Sequence, residues 1–155
     1  MATIRSAQRE DEAAVSECVR AAYTPYIARI GTPPGPMLDD YAARIAQGVV
    51  YVLADDAAVQ GLVVTMPQGD CQFLDNIAVH PRAQGQGLGR RLLAFVEQLA
   101  RQGERGAICL YTNEAMTESL ALYRRWGFVE TECRVEQGFR RVYMRKTLAP
   151  DTAPV

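Results

Sequence analysis

Apolar side chains recur along the chain with two different periods, and the switch between them marks out the elements. Thr3–Ser6 reads as a short first strand. Asp11 then opens a helix whose apolar positions are Val15, Cys18, Val19, Ala22, Tyr23 and Tyr26, spaced to line one face. The run Gly31-Thr-Pro-Pro-Gly-Pro36 must break it, and it predicts a surface loop rather than a linker. A short helix is predicted over residues 38–47. Residues 49–54 and 60–66 form a hairpin across the turn chemistry of Asp55-Asp56. Cys71–Val79 is a third long strand. Leu88, Leu92, Phe95, Val96 and Leu99 then give one apolar stripe on a helix that ends near Gly103. A strand over residues 107–111 and a helix over 115–125, stopped by Gly127, follow. Residues 128–136 and 140–147 form a closing hairpin across Gln137-Gly138. The order β-α-α-β-β-β-α-β-α-β-β predicts an α+β fold: a mixed central sheet flanked by helices, in one domain over residues 1–148. Residues 149–155 are too poor in apolar side chains to pack, and an unstructured tail is expected there.

Composition narrows the class. With 155 residues, 48% hydrophobic and 23% charged, the chain can build one core and is not a disordered polymer. A formal net charge of -1 gives no reason to expect nucleic acid or an anionic membrane as partner. The paired arginines Arg90-Arg91, Arg124-Arg125 and Arg140-Arg141 read as solvated helix or strand edges. No uncharged run reaches membrane-spanning length, and the N-terminus turns polar too soon for a secretory signal. Cys18, Cys71, Cys109 and Cys133 make no C-x-x-C pair, and His80 is the single histidine, so no metal site is expected. Four reduced thiols in a cytoplasmic protein are expected.

The chemistry concentrates in Leu74-Asp-Asn-Ile-Ala-Val-His-Pro-Arg-Ala-Gln-Gly-Gln-Gly-Leu-Gly-Arg90. A strand runs into a glycine-rich turn, and the turn opens a helix. A helix start leaves backbone N–H groups free and carries partial positive charge, and glycines let an anion approach those groups closely. The arrangement suits a phosphate or pyrophosphate. It is neither of two familiar nucleotide loops. A Walker loop needs Gly-Lys-Ser/Thr, whereas Gly89 is followed by Arg90-Arg91. A dinucleotide fingerprint needs a third glycine where Arg90 stands.

Gln84-Gly-Gln-Gly87-Leu-Gly89 resembles the [QR]-x-x-G-x-[GA] pyrophosphate loop of the GNAT superfamily of N-acetyltransferases. Ile77-Ala-Val-His-Pro81 upstream and Leu122-Tyr-Arg-Arg-Trp-Gly-Phe128 downstream, which is similar to the superfamily's L-Y-x-x-x-G-F, extend the resemblance over essentially the whole chain. The resemblance implies acetyl-CoA as co-substrate, without a metal. Its pantetheine arm would lie between splayed fourth and fifth strands, on the backbone of Ile77 and Val79. Its pyrophosphate would lie on the amides of Gln84, Gly85, Gln86, Gly87, Leu88, Gly89 and Arg90. An N–H of Ile77 or Val79 would also polarise the thioester carbonyl. Tyr123 would be the general acid for the leaving thiolate, with Ser119 one turn before it on the same helix face. Where the superfamily often has Asn-x-x-Ala, this chain has Met116-Thr-Glu-Ser119, and Asn113 is the alternative polar contact to coenzyme A. Asp75 shares a strand face with Ile77 and Val79 and matches a position where family members often place an acidic residue. It would either take the amine proton or orient the substrate. His80, at a strand end, is read as structural.

The implied reaction moves acetyl to a primary amine of a small molecule or peptide, with no nucleic acid or membrane involved and a homodimer left open. The alternative is a coenzyme A-binding regulatory module without turnover. Tyr123 and Asp75 favour catalysis, because a pure binder needs neither. Acceptor choice would lie with the first helices, the loop 31–37 and the closing hairpin, where Tyr23, Tyr26 and Tyr143 either line an acceptor pocket or pack its rim. Tyr111 stands where ribosomal-protein acetyltransferases of the superfamily often have glutamate, which argues against that branch.

Overall fold

The computed structural model describes residues 2–149. The sheet has seven strands in the order β1-β2-β3-β4-β5-β7-β6. It is mixed, because β4–β5 is parallel while β1–β2, β2–β3, β5–β7 and β6–β7 are antiparallel. The chain divides into two compact units, the first running to Met66 and including Asp75–Phe95, the second made of Pro67–Leu74 and the chain from Val96 on. Strand β4 (Cys71–Val79) contributes to both.

In the first unit, β1 (Thr3–Ser6) pairs with β2 (Val50–Ala54), and β2 with β3 (Val59–Gln68) through a bulge at Leu53/Ala54. Leu62, Val63 and Val64 are consecutive and fully buried, so both faces of β3 are covered there. Gly61 of β3 is required by packing. A Cβ at that position would stand 2.9 Å from the Ala78 carbonyl oxygen and 3.1 Å from Leu92 Cδ1. Helix α1 (Glu12–Tyr23) buries Val15, Cys18, Val19 and Tyr23, the predicted stripe. It stops earlier than expected, because Pro25 starts a 3-10 turn over Thr24–Tyr26. A single turn, α2 (Ile27–Ile30), follows, and Gly31 closes it at φ 84°. Asp11 caps the 3-10 turn that precedes α1: its carboxylate accepts from the Gln8 N–H and pairs with Arg5.

The helix expected over residues 38–47 is two pieces, a 3-10 turn at Gly35–Leu38 and α3 (Tyr41–Ala46). The reason is local. Asp40 takes the N-cap position and accepts from the Ala43 N–H at 3.1 Å, a bond that competes with a continuous helix.

In the second unit, β4 pairs with β5 (Ala107–Asn113) over Cys71–Phe73 against Ala107–Cys109. Strand β5 pairs with β7 (Phe139–Thr147), and β7 with the edge strand β6 (Val129–Glu136). Gln137 and Gly138 turn the hairpin with φ of 53° and 83°, the two positive values of a type I′ turn. Helix α4 (Leu88–Gln102) spans the division between the units, and α5 (Thr117–Arg125) lies in the second. Of the expected tail, only Ala149 falls within the described residues. Among the described residues no helix is long and apolar enough to cross a membrane.

Candidate active site

The turn after β4 is built almost entirely from backbone. The His80 N–H bonds the Gln60 carbonyl at 2.8 Å, fixing the end of the strand. His80 Nδ1 then accepts from the Arg82 N–H at 3.2 Å and caps a 3-10 turn over Pro81–Ala83, a structural role. The Gln84 side chain folds back and donates to the Val79 carbonyl at 3.2 Å. Gly85 and Gly87 adopt φ of 82° and 76°, and a Cβ at either would meet nothing within 4 Å. These glycines therefore serve conformation, and the space beside them is open. Leu88 is buried and pins the first turn of α4, while Gln84, Gly85, Gln86, Gly87 and Arg90 are exposed and Gly89 is half-buried. The first helical bond runs from the Arg91 N–H to the Gly87 carbonyl, so the amides ahead of it have no partner within the helix. With the positive end of a 15-residue helix behind them, they are suited to receive an anion. Arg91 Nη2 donates to the Ala2 carbonyl at 3.0 Å, which leaves Arg90 as the arginine of that pair that can serve a ligand.

Strand β4 has two unlike faces. Phe73, Asp75, Ile77 and Val79 are half-buried, whereas Leu74, Asn76 and Ala78 between them are buried. Asp75, with 19% of its side chain exposed, lies 3.4 Å from Arg44 Nη2 on α3. Arg44 also holds Asp39 at 3.1 Å. Burial pushes the Asp75 carboxyl above its usual range. Arg44 opposes that rise and Asp39 adds to it. Neither Asp39 nor Arg44 was singled out from the sequence.

Behind the strand stands a chain of buried hydrogen bonds, also unforeseen. The Tyr23 hydroxyl donates to Asn76 Oδ1 at 2.7 Å, Asn76 Nδ2 donates to the Tyr41 hydroxyl at 3.0 Å, and Tyr41 donates to the Pro36 carbonyl at 2.5 Å. Burial pushes the Tyr41 phenol well above its usual range, so it stays a neutral donor. Tyr23 is buried and braces β4 through its bond to Asn76.

The second unit holds the other predicted residues. Tyr123 on α5 is half-buried, its ring set edge-on to Trp126 and Phe128 with centroids 6.1 and 5.6 Å away. Ser119 on the same helix is half-buried, and Met116 before it is buried. Asn113 Oδ1 accepts from the Ala115 N–H at 2.8 Å, so the turn into α5 uses that oxygen. Tyr111 forms the centre of a ring cluster, 5.8 Å from Phe73 and 5.3 Å from Tyr143. Arg141 lies over Tyr111 at 4.5 Å and Arg134 over Tyr143 at 4.6 Å, while the Tyr143 hydroxyl donates to Glu136. Arg141 is half-buried on a ring, not the solvated edge expected of it. Among the described residues no group of His, Cys, Asp and Glu is positioned to hold a metal ion.

A mixed sheet whose fourth strand runs into a glycine-rich turn and a helix start is suited to a ligand that bears a phosphate. The sequence profile of the acetyltransferase (GNAT) domain matches residues 46–130. The chain belongs to that family of acetyltransferases. It is 32% identical over 108 residues to the aminoglycoside N(6')-acetyltransferase type 1 of Serratia marcescens, covering 70% of this chain and 69% of that protein. Its fold is similar to the PaiA N-acetyltransferase of Thermoplasma acidophilum in complex with coenzyme A, with a TM-score of 0.77 at 15% identity over 95% of this chain and 99% of the other. It is similar too to the ribosomal-protein-S18-alanine N-acetyltransferase of Escherichia coli, with a TM-score of 0.75 at 23% identity over the whole of both chains.

Proposed function

We propose that the chain transfers acetyl from acetyl-CoA to a primary amine of a small molecule or peptide by direct attack on the thioester, with residues 1–148 as the catalytic domain. The observation that carries this reading is the turn 84–90: two left-handed glycines, open space beside them and helix-start amides with no partner within the helix. Its chemistry fits a pyrophosphate, and Gln84, Gly85, Gln86, Gly87, Leu88, Gly89 and Arg90 would hold it, largely through backbone. The donor supplies an activated acetyl thioester when bound. Backbone groups of Ile77 and Val79 would align the pantetheine arm, and the β4–β5 ladder, which stops at Phe73 while β4 runs on to Val79, supports that role. Asn113 and Ser119 would add polar contacts to the donor. The Tyr123 hydroxyl would give its proton to the departing sulfur. Asp75 would take the proton of the incoming amine, and its raised affinity for protons supports that assignment.

Burial pushes the Cys18 and Cys109 thiols up to about 12, which weighs against either of them as the nucleophile of an acyl-cysteine relay. The four cysteines are all free thiols, which supports a reducing, cytoplasmic setting. The test is release of free thiol from acetyl-CoA across a library of primary amines that includes aminoglycosides. Amine-dependent thiol release with a matching acetylated product is expected. Tight binding of acetyl-CoA with no amine accelerating thiol release would overturn the reading in favour of a binding module.

A further inference from the structure

The closing hairpin carries five cations, and four of them are neutralised. Arg134 pairs with Glu132, Arg140 with Glu114, Arg145 with Asp70 at 3.1 Å, and Lys146 with Glu97 at 2.6 Å. Among the described residues, Arg141 has no carboxylate partner. It is half-buried with its guanidinium carbon 4.5 Å from the Tyr111 ring centroid, a cation–π contact that leaves its N–H donors uncommitted to a carboxylate. Its register partners sharpen the point. Opposite it on β6 is Arg134, and like charges directly opposite each other destabilise a sheet. Opposite it on β5 is Asn113, whose oxygen is committed to the Ala115 N–H, so its amide nitrogen remains a donor. Glu136, the nearby carboxylate on β6, is taken by the Tyr143 hydroxyl. The uncompensated positive charge of this patch therefore rests on Arg141.

We infer that Arg141 on its Tyr111 bed reads a carboxylate carried by the acceptor, so that the acceptor class is an amine bearing a carboxylate on an apolar or aromatic body. The inference rests on the acetyltransferase reading and narrows its substrate. One guanidinium fork matches one carboxylate in a bidentate pair, whereas a phosphate calls for more positive charge than this neutralised hairpin supplies. Phe73 and Tyr143 flank Tyr111 and offer apolar surface for the rest of the molecule. Phe73 lies two positions before Asp75 on the same face of β4, so the strand that carries the apolar surface also carries the proposed base. A polycationic acceptor gains nothing from two arginines side by side.

The experiment uses matched pairs, the α-amino acids and their carboxamides, which share amine and side chain and differ in one charge. Two readouts are taken: amine-dependent thiol release, and calorimetric binding of the same compounds to the protein. Wild type is expected to prefer the acid member in at least one pair. Arg141→Gln should raise KM for that acid about ten- to hundredfold, leave kcat nearly unchanged, and leave the carboxamide unaffected. Arg141→Lys, which keeps the charge but not the fork, should recover part of the loss. No acid preference in any pair by either readout, equal weakening of acid and carboxamide by Arg141→Gln, or a preference confined to phosphate-bearing amines would each overturn the assignment. Binding that discriminates acid from amide without any thiol release would leave the carboxylate site standing and sink the acetyltransferase reading instead.

Discussion

The turn at residues 84–90 and the hydrogen-bonded wall of Tyr23, Asn76 and Tyr41 both serve β4, and they are made of different material. The turn is contiguous and offers backbone amides, with glycines whose contribution is the side chain they lack. The wall is assembled from side chains 53 and 35 positions apart, each hydroxyl and amide bonded to the next. A site made of amides can bind an anion firmly while recognising little else about the molecule that carries it. A wall of side chains binds nothing itself but holds the strand on which Asp75, Ile77 and Val79 are displayed. The expectation is a division of labour: breaking backbone geometry costs donor affinity, whereas breaking side-chain chemistry costs turnover or stability.

The strongest test of that division is at Gly87. Any other residue there meets φ of 76°, which strains the backbone by about 1–2 kcal/mol. Gly87→Ala bears only that strain, while Gly87→Glu adds a negative charge where the pyrophosphate is expected. Calorimetry should show acetyl-CoA affinity reduced about a hundredfold or more by Glu and no more than about tenfold by Ala. Equal affinities in two folded variants would mean that no anion sits at this turn.

Tyr123 examines the other half of the comparison at the level of chemistry. Its ring is packed against Trp126 and Phe128, so Tyr123→Phe keeps the packing and removes one oxygen. A phenol that protonates a departing thiolate matters in the transition state and little before it. Turnover should fall about ten- to a thousandfold with acetyl-CoA affinity unchanged. Turnover equal to wild type would reduce Tyr123 to a packing residue.

Asn76→Leu removes the middle of the wall and leaves two buried hydroxyls facing an apolar side chain. A loss of about 1–3 kcal/mol in unfolding free energy is expected, read by denaturant titration. Acetyl-CoA affinity should fall much less. A variant as stable as wild type would mean that the wall is not what holds the strand.

This contrast also explains which parts were legible from residues alone. The anion turn is a run of neighbours whose glycine spacing states its own geometry, and the Gln137-Gly138 turn announced its hairpin in the same way. The strand faces followed from alternation, which placed Asp75 beside Ile77 and Val79 correctly. Arg44 could not be found so, because it reaches Asp75 across 31 positions and stands in a helix with no pattern of its own. Asp39 and Asp40 read as helix interior, yet one caps α3 and the other pairs with Arg44. Asn76 carries no local signal of its role, because its two tyrosines come from α1 and α3. Arg141 read as a solvated edge because a stacking partner on another strand leaves no trace in local spacing.

Asp75 is where the two kinds of construction meet, and its effects should be the smallest and the most dependent on pH. Burial raises its affinity for a proton despite Arg44, so the folded state holds that proton more tightly than the unfolded chain does. The penalty is absent in acid. It grows as pH rises from the ordinary aspartate value, about 4, and is complete above the raised folded value. Asp75→Asn removes the ionising group, so its melting temperature relative to wild type should be higher at pH 7 than at pH 3. Activity should move the other way. An alkylamine arrives mostly protonated at neutral pH, and a carboxylate with raised proton affinity is suited to relieve it. The Asn variant should lose about tenfold in kcat/KM near pH 7, a modest loss because water reaches a half-buried site and can carry the proton. The deficit should shrink toward pH 9–10, where more of the acceptor is already neutral. A deficit of constant size across that range would mean that Asp75 orients the amine, or holds Arg44 against the strand, and that the proton leaves through water. Arg44→Gln separates a base from a residue that only positions. It removes the ion pair and keeps the carboxylate, so it should raise the proton affinity of Asp75 further and shift the acid limb of the kcat/KM profile to higher pH if Asp75 is the base. It should leave the shape of the profile untouched if Asp75 is not.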